Sequence, residues 1–221
     1  MSPERQMSLI KIIKNIRLLG LTFFLFTFSI ILPTDSPNFK IGSYYLDKSL
    51  LNSGDIIFRR GTSFVSMLVL NLDKRSPYSH TGIIKLVGDE IFVVHAVPSE
   101  EAGEKDLTKI DPLNKFLRKD RATAIAVYRF IEDAITPDEA SAFAYRHGLL
   151  GTEFDGSFDL SDDSKLYCTE LIWKAYLDSG IDLIEGQFDQ LEIPFSKGHY
   201  ILPGTLLESK KLKQIFSINF L

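Results

Sequence analysis

Leu166-Tyr167-Cys168-Thr169-Glu170-Leu171-Ile172-Trp173-Lys174-Ala175-Tyr176 carries the single cysteine of a 221-residue chain. Read at helical period, Cys168, Leu171, Ile172, Ala175 and Tyr176 fall on one face, at i, i+3, i+4, i+7 and i+8. Ser161-Asp162-Asp163-Ser164, rich in capping residues and acids, predicts the start of this helix, and Gly180 its stop. Cys168 then lies in the first turn, on the buried side. Unpaired backbone N–H groups and the positive end of the helix dipole favour a thiolate there. Read alone, the position suits a small core residue as well as a nucleophile.

Working outward, the length allows one domain, or one domain with an appendage, and a 45% hydrophobic content supports a core. The net charge of −4 and the absence of a basic stripe argue against nucleic acid. One cysteine permits no intramolecular disulfide.

Lys11, Lys14 and Arg17 precede Leu18 to Leu32, which carries no charge. A basic region followed by such a run reads as a secretory signal peptide or a membrane anchor over residues 1–34. The uncharged run is shorter than the roughly 20 residues of a spanning helix, and no small-residue cleavage site follows it. Membrane association through residues 9–32 would place the remainder outside the cytoplasm. A linker, PTDSP, at Pro33 to Pro37 leads to a domain over 38–221.

Within that domain, alternation and turn residues predict strands at Ile56–Arg59, Ser79–Val87, Glu90–Val97 and Ala122–Phe130. Gly88-Asp89 makes a hairpin of the middle pair. Ser63–Leu72 reads as an amphipathic or buried helix, and Asp111–Leu117 as a short helix with Pro112 at its first position. Thr136-Pro137-Asp138-Glu139 opens a helix that ends at Gly148. A last strand falls in His199–Leu207. Adjacent hairpins and segregated helices define an α+β fold, an antiparallel sheet packed against helices.

A thiol nucleophile needs a base within hydrogen-bond reach and a group that orients the base. Counting back from the turn at 88–89 brings Gly82 opposite His95 and His80 opposite Val97. His80 and His95 are then diagonal neighbours on one face, able to serve as base and orienting group. His147, at a helix C-terminus, and His199, in a loop, are weaker candidates. His80, His95 and Cys168 would also make three zinc ligands, but no close ligand pair supports a metal site, and no cofactor is expected. Asp155, Asp159, Asp162 and Asp163 lack the spacing of a calcium loop and read as turn and cap acids.

Gly54-Asp55-Ile56-Ile57-Phe58, Ser79-His80-Thr81-Gly82-Ile83-Ile84, His95-Ala96 and the cysteine stretch, in this order, resemble the YaeF/YiiX group of permuted, NlpC-type papain-like amidases. Phe154-Asp155 and Ile201-Leu202-Pro203-Gly204-Thr205-Leu206-Leu207 fit the same group, so the resemblance spans about residues 50–207. Histidine strands before the cysteine helix is the circularly permuted order. The resemblance implies a permuted papain-like fold, with Cys168 as nucleophile, His80 as general base and His95 in the third position. It implies an exported cysteine amidase or peptidase acting through an acyl-enzyme on an amide bond, with cell-wall peptides as the expected substrate. A lipid-directed thiol acyltransferase or hydrolase acting on acyl-amide or lipid substrates, and an inactive membrane-tethered binding module, are the alternatives.

Overall fold

The computed structural model describes residues 38–41, 44–191 and 198–220. The chain divides at Ser36/Pro37, and the described residues all lie in the second unit. The signal or anchor reading of residues 1–34 lies outside them. Among the described residues, no helix is long and apolar enough to cross a membrane.

The elements run β1 (Asn38–Ile41), β2 (Tyr44–Asp47), β3 (Ile56–Gly61), α1 (Phe64–Leu72), β4 (His80–Val87), β5 (Glu90–Val97), β6 (Leu107–Pro112), α2 (Leu113–Phe116), β7 (Ala122–Phe130) and α3 (Thr136–Leu150). They continue with β8 (Glu153–Phe154), β9 (Lys165–Leu166), α4 (Cys168–Asp178), β10 (Asp189–Gln190), β11 (His199–Tyr200), α5 (Pro203–Leu207) and β12 (Leu212–Asn219). One sheet holds eight strands in the order β12-β7-β3-β4-β5-β6-β8-β9. Every pair in it is antiparallel except β8 with β9. This is the α+β architecture expected from adjacent hairpins.

Alternation along the central strands sends side chains to two buried faces. Ile56, Phe58, Ile83, Val94 and Ala126 pack with Ala140 and Ala144 of α3 and with Leu171, Ile172, Ala175 and Tyr176 of α4. Ile57, Ile84, Val93, Ile125 and Val127 pack on the other side with Leu113, Phe116 and Leu117 around α2. Ile56, Ile57, Ile83 and Ile84 are fully buried, so β3 and β4 form the middle of the domain.

Gly54-Asp55 is the joint between these layers. Gly54 sits at φ +89°, and a Cβ there would lie 2.3 Å from Pro137 at the start of α3. Its carbonyl accepts a hydrogen bond from the Tyr176 hydroxyl of α4 at 2.8 Å. Asp55, 1% exposed, accepts two hydrogen bonds from Arg129 of β7, at 2.7 and 2.8 Å, and another from the Asn52 N–H. One turn thus holds α3, α4 and β7 against the strand that follows it.

Five sequence expectations need correction. Ser161–Ser164 does not open the cysteine helix: Asp159 and Asp162 accept from the N–H groups two residues on, closing tight turns, and β9 intervenes before α4 begins at Cys168 itself. The α3 helix passes Gly148 and ends at Gly151, and Asp133, not Thr136, caps its start by accepting from the Ile135 and Thr136 N–H groups. β6 occupies part of what reads as loop and helix. The last sheet strand is β12, because His199–Leu207 forms only a two-residue strand and α5. The helix α1 is neither amphipathic in burial nor buried. Ser66, small enough to pack against Gly61, is its one buried residue, while Phe64, Met67, Leu68 and Leu72 stand 70, 52, 47 and 46% exposed.

Gly54→Ala is expected to destabilise the domain by at least about 2 kcal/mol in denaturant unfolding, since left-handed strain and a backbone clash add. Gly88→Ala provides the comparison. It shares a positive φ, but nothing lies within 4 Å of the added methyl, so its cost is the strain alone, about 1 kcal/mol.

Candidate active site

Strands β4 and β5 position the two histidines. Their register, Ile83 opposite Val94, continues to place Gly82 opposite His95 and leaves His80 diagonal to it. A Cβ on Gly82 would come within 2.5 Å of Val93 Cγ1 and 3.1 Å of the His95 Cβ. The missing side chain therefore lets His95 lean across toward His80. The rings meet edge to face at 5.1 Å, and His80 Nε2 lies 2.9 Å from His95 Nδ1. His95 Nε2 faces Asp111 Oδ2 of β6 at 3.3 Å.

Phe116 of α2 covers the pair, with ring centroids 5.9 Å from His80 and 5.1 Å from His95. The Arg59 guanidinium stacks on the same ring at 4.5 Å, donates to the Phe116 carbonyl at 3.0 Å and pairs with Glu100. Arg121 donates to the second Glu100 oxygen at 3.0 Å. Burial, then the charge of Arg59 and the neighbouring His95, hold His80 well below an ordinary histidine. Burial also lowers His95, Asp111 opposing it and Arg59 adding to it. Both rings are neutral at pH 7, so one nitrogen of each keeps a lone pair.

Cys168 opens α4, and no preceding turn of helix accepts its N–H. The Glu170 carboxylate accepts from the Tyr167 N–H at 3.2 Å, one arm of a capping box. The Thr169 hydroxyl donates to the Ile201 carbonyl at 2.5 Å, and the Tyr167 hydroxyl accepts from the Ile201 N–H at 3.0 Å. These contacts fix the first turn of α4 to the chain before α5. The thiol is half-buried. Burial pushes it up, and the N–H groups of Thr81, Thr169 and Cys168 with Arg59 oppose that rise without cancelling it. The helix terminus acts in the expected direction but does not prevail; the resting cysteine is a thiol.

Two cavities meet at this thiol. One, of about 280 Å³, is lined by Cys168 and His80 together with Arg59, Arg121, Ser63 and Ser79. The other, of about 320 Å³, runs from Cys168 along Val65, Leu68 and Leu72 of α1 to Phe158 and Leu202. Of the other histidines, His147 bonds Thr152 at 2.9 Å and stacks on Phe143, and His199 packs on Phe188; neither lines these cavities. Tyr78 is a buried core residue.

Asp111 is the residue that sequence reasoning missed. Reading Asp111–Leu117 as a helix hid the strand in front of it, because Leu107-Thr108-Lys109-Ile110-Asp111 shows no regular alternation along β6. His95, Glu100 and Asp111 bring possible ligand atoms within 4.8 Å of one another. They do not fit a metal centre. Glu100 is held by two guanidiniums, Asp111 by Lys115 at 3.0 Å, and His95 uses both nitrogens in hydrogen bonds.

Residues 50–216 match the family model described as permuted papain-like amidase enzyme, YaeF/YiiX, C92 family. The uncharacterized protein YiiX of Escherichia coli strain K12 is 30% identical over 125 residues, 56% of each chain, so the match spans little more than half of that relative. A crystal structure titled metalloprotein yiiX, from Escherichia coli O157:H7, superposes with a TM-score of 0.61 at 22% identity, covering 76% of this chain and 97% of that one. That likeness supports the fold. The extent of the family match, over a sheet and helices arranged in the permuted order, makes this chain a member of the permuted papain-like YaeF/YiiX family of cysteine amidases and peptidases.

Proposed function

We propose that the domain hydrolyses an amide bond through a Cys168 acyl-enzyme, with His80 as general base and His95 as the group that orients it. The observation that carries this reading is the 2.9 Å contact between the two histidines, one of which shares a cavity with the only cysteine. His80 uses Nε2 toward His95, which reserves Nδ1 for the thiol. The Sγ proton passes to His80 as sulfur attacks the carbonyl carbon. The developing oxyanion accepts from the Cys168 N–H. Collapse breaks the C–N bond, and the leaving nitrogen takes the proton from His80. Water, deprotonated by His80, then attacks the thioester; the C–S bond breaks and the thiol is restored. The basic and apolar N-terminal run supports an exported or membrane-anchored enzyme, for which cell-wall peptides are the amide substrate within reach.

One observation favours a second reading, an acyl-amide or lipid substrate. His80 lines the cavity that also carries Arg59 and Arg121, where the leaving group must be protonated. The acyl half then falls in the apolar cavity under α1, whose exposed residues would contact an acyl chain.

Assay of muropeptides beside short- and long-chain N-acyl amides separates these readings. Cys168→Ala and His80→Gln are each expected to lower kcat/KM by about 10³-fold or more; full activity in Cys168→Ala would end the thiol mechanism. The acid limb of the wild-type pH profile is expected below pH 6.5, because burial and Arg59 keep the base unprotonated to lower pH. If the apolar cavity holds the acyl chain, Leu68→Glu lowers kcat/KM for the long-chain amide about tenfold more than for the acetyl amide. Equal losses, or cleavage of muropeptides alone, would exclude the lipid reading.

A further inference from the structure

Resting on the Cys168–His80 mechanism, we propose that Asp111 is a positioning residue that sets the direction of the hydrogen-bond chain from β6 to His80, the base that serves the thiol. An ionised carboxylate only accepts hydrogen bonds. Facing Asp111 Oδ2 at 3.3 Å, His95 Nε2 must carry the proton. A neutral ring has one N–H, so His95 Nδ1 is an acceptor, and across 2.9 Å it receives the N–H of His80 Nε2. His80 Nδ1 is then left with a lone pair, the form a base needs. Reversing the chain would put the proton on His80 Nδ1 and disable it. The carboxylate is the single member whose role is fixed by its charge, so the direction starts there. When His80 takes the thiol proton, the same anion stabilises the imidazolium through His95.

The groups facing Asp111 are few. His95 approaches from β5, Lys115 from α2 at 3.0 Å, and Arg121 Nη1 lies 3.9 Å away. Lys115 is shared with Glu104, and a Glu100 carboxylate oxygen, itself paired with Arg59 and Arg121, lies within 4.8 Å of an Asp111 oxygen. Burial pushes the Asp111 carboxyl up, but His95 and Lys115 outweigh it and keep the group ionised far below neutral pH. Asp111 therefore has two contacts to tell apart, one structural through Lys115 and one directing through His95.

Alkylation of Cys168 by iodoacetamide across pH reads the chain without any substrate. The intact domain is expected to show a neutral-pH plateau, from thiolate formed by proton transfer to His80, beneath a steeper rise at alkaline pH from bulk ionisation. Asp111→Asn should lower the plateau about tenfold and leave the alkaline rise in place; His80→Gln should do the same. Lys115→Met, which removes the structural contact (and the Lys115 pairing with Glu104) but leaves His95 facing Asp111, should keep the plateau. A plateau lost in His80→Gln but retained in Asp111→Asn overturns the role of Asp111 and spares the mechanism. A plateau lost equally in Lys115→Met overturns it as well, by showing a structural effect. No plateau in the wild-type domain, or one indifferent to His80→Gln, overturns the mechanism and this role with it.

Discussion

The contact between two buried, neutral imidazoles at His80 and His95 is the constraint on which the other features of the site depend. Neither ring can be charged cheaply where it lies, so each must find a hydrogen-bond partner as a neutral group. The pairing explains the glycine two residues after His80, because a side chain there would stand where His95 leans. It explains Phe116, whose ring packs against both imidazoles, and the pairing of Arg59 with Glu100, which keeps a buried guanidinium from standing alone beside them. It also sets the resting state of the cysteine. With no imidazolium present, the thiol stays protonated until a proton transfer creates both charges together.

Much of this was legible in the amino-acid order. A two-residue hairpin turn fixes register by counting, so the diagonal relation of His80 and His95 follows from Gly88-Asp89 alone. Helical periodicity recovers the buried face of α4, turn residues bounding apolar runs recover β3, β4 and β5, and alternation recovers β7. What escaped has physical causes. Asp and Ser cluster both in caps and in tight turns, because the same side chain-to-backbone hydrogen bond closes either; Ser161–Ser164 formed turns. Asp111 was hidden because Pro112 suits a helix start and also the last residue of a strand. The exposure of α1 depends on what lies beside it, and a nine-residue apolar stretch does not report its neighbours.

Glycines at 54 and 82 divide two kinds of work. Gly54 belongs to the frame, where α3, α4 and β7 converge on one turn through Pro137, Tyr176 and Arg129. Gly82 belongs to the chemistry, as the open space that permits two side chains to meet. The motif glycines of the sequence are therefore not equivalent, and loss of the first acts on folding before it acts on the site.

The permuted order has a consequence for how the protein is made. Synthesis runs from the N-terminus, and the hairpin that pairs His80 with His95 joins residues close in sequence, so it can form early on the ribosome. Cys168 emerges some seventy residues after His95, and its helix is anchored by contacts with Ile201, later still. A nascent chain thus carries a finished pair of imidazoles for a long interval with no sulfur beside them. The reactive assembly closes late, with only α5 and β12 still to follow its anchor at Ile201, which withholds the nucleophile until most of the surrounding fold has been made.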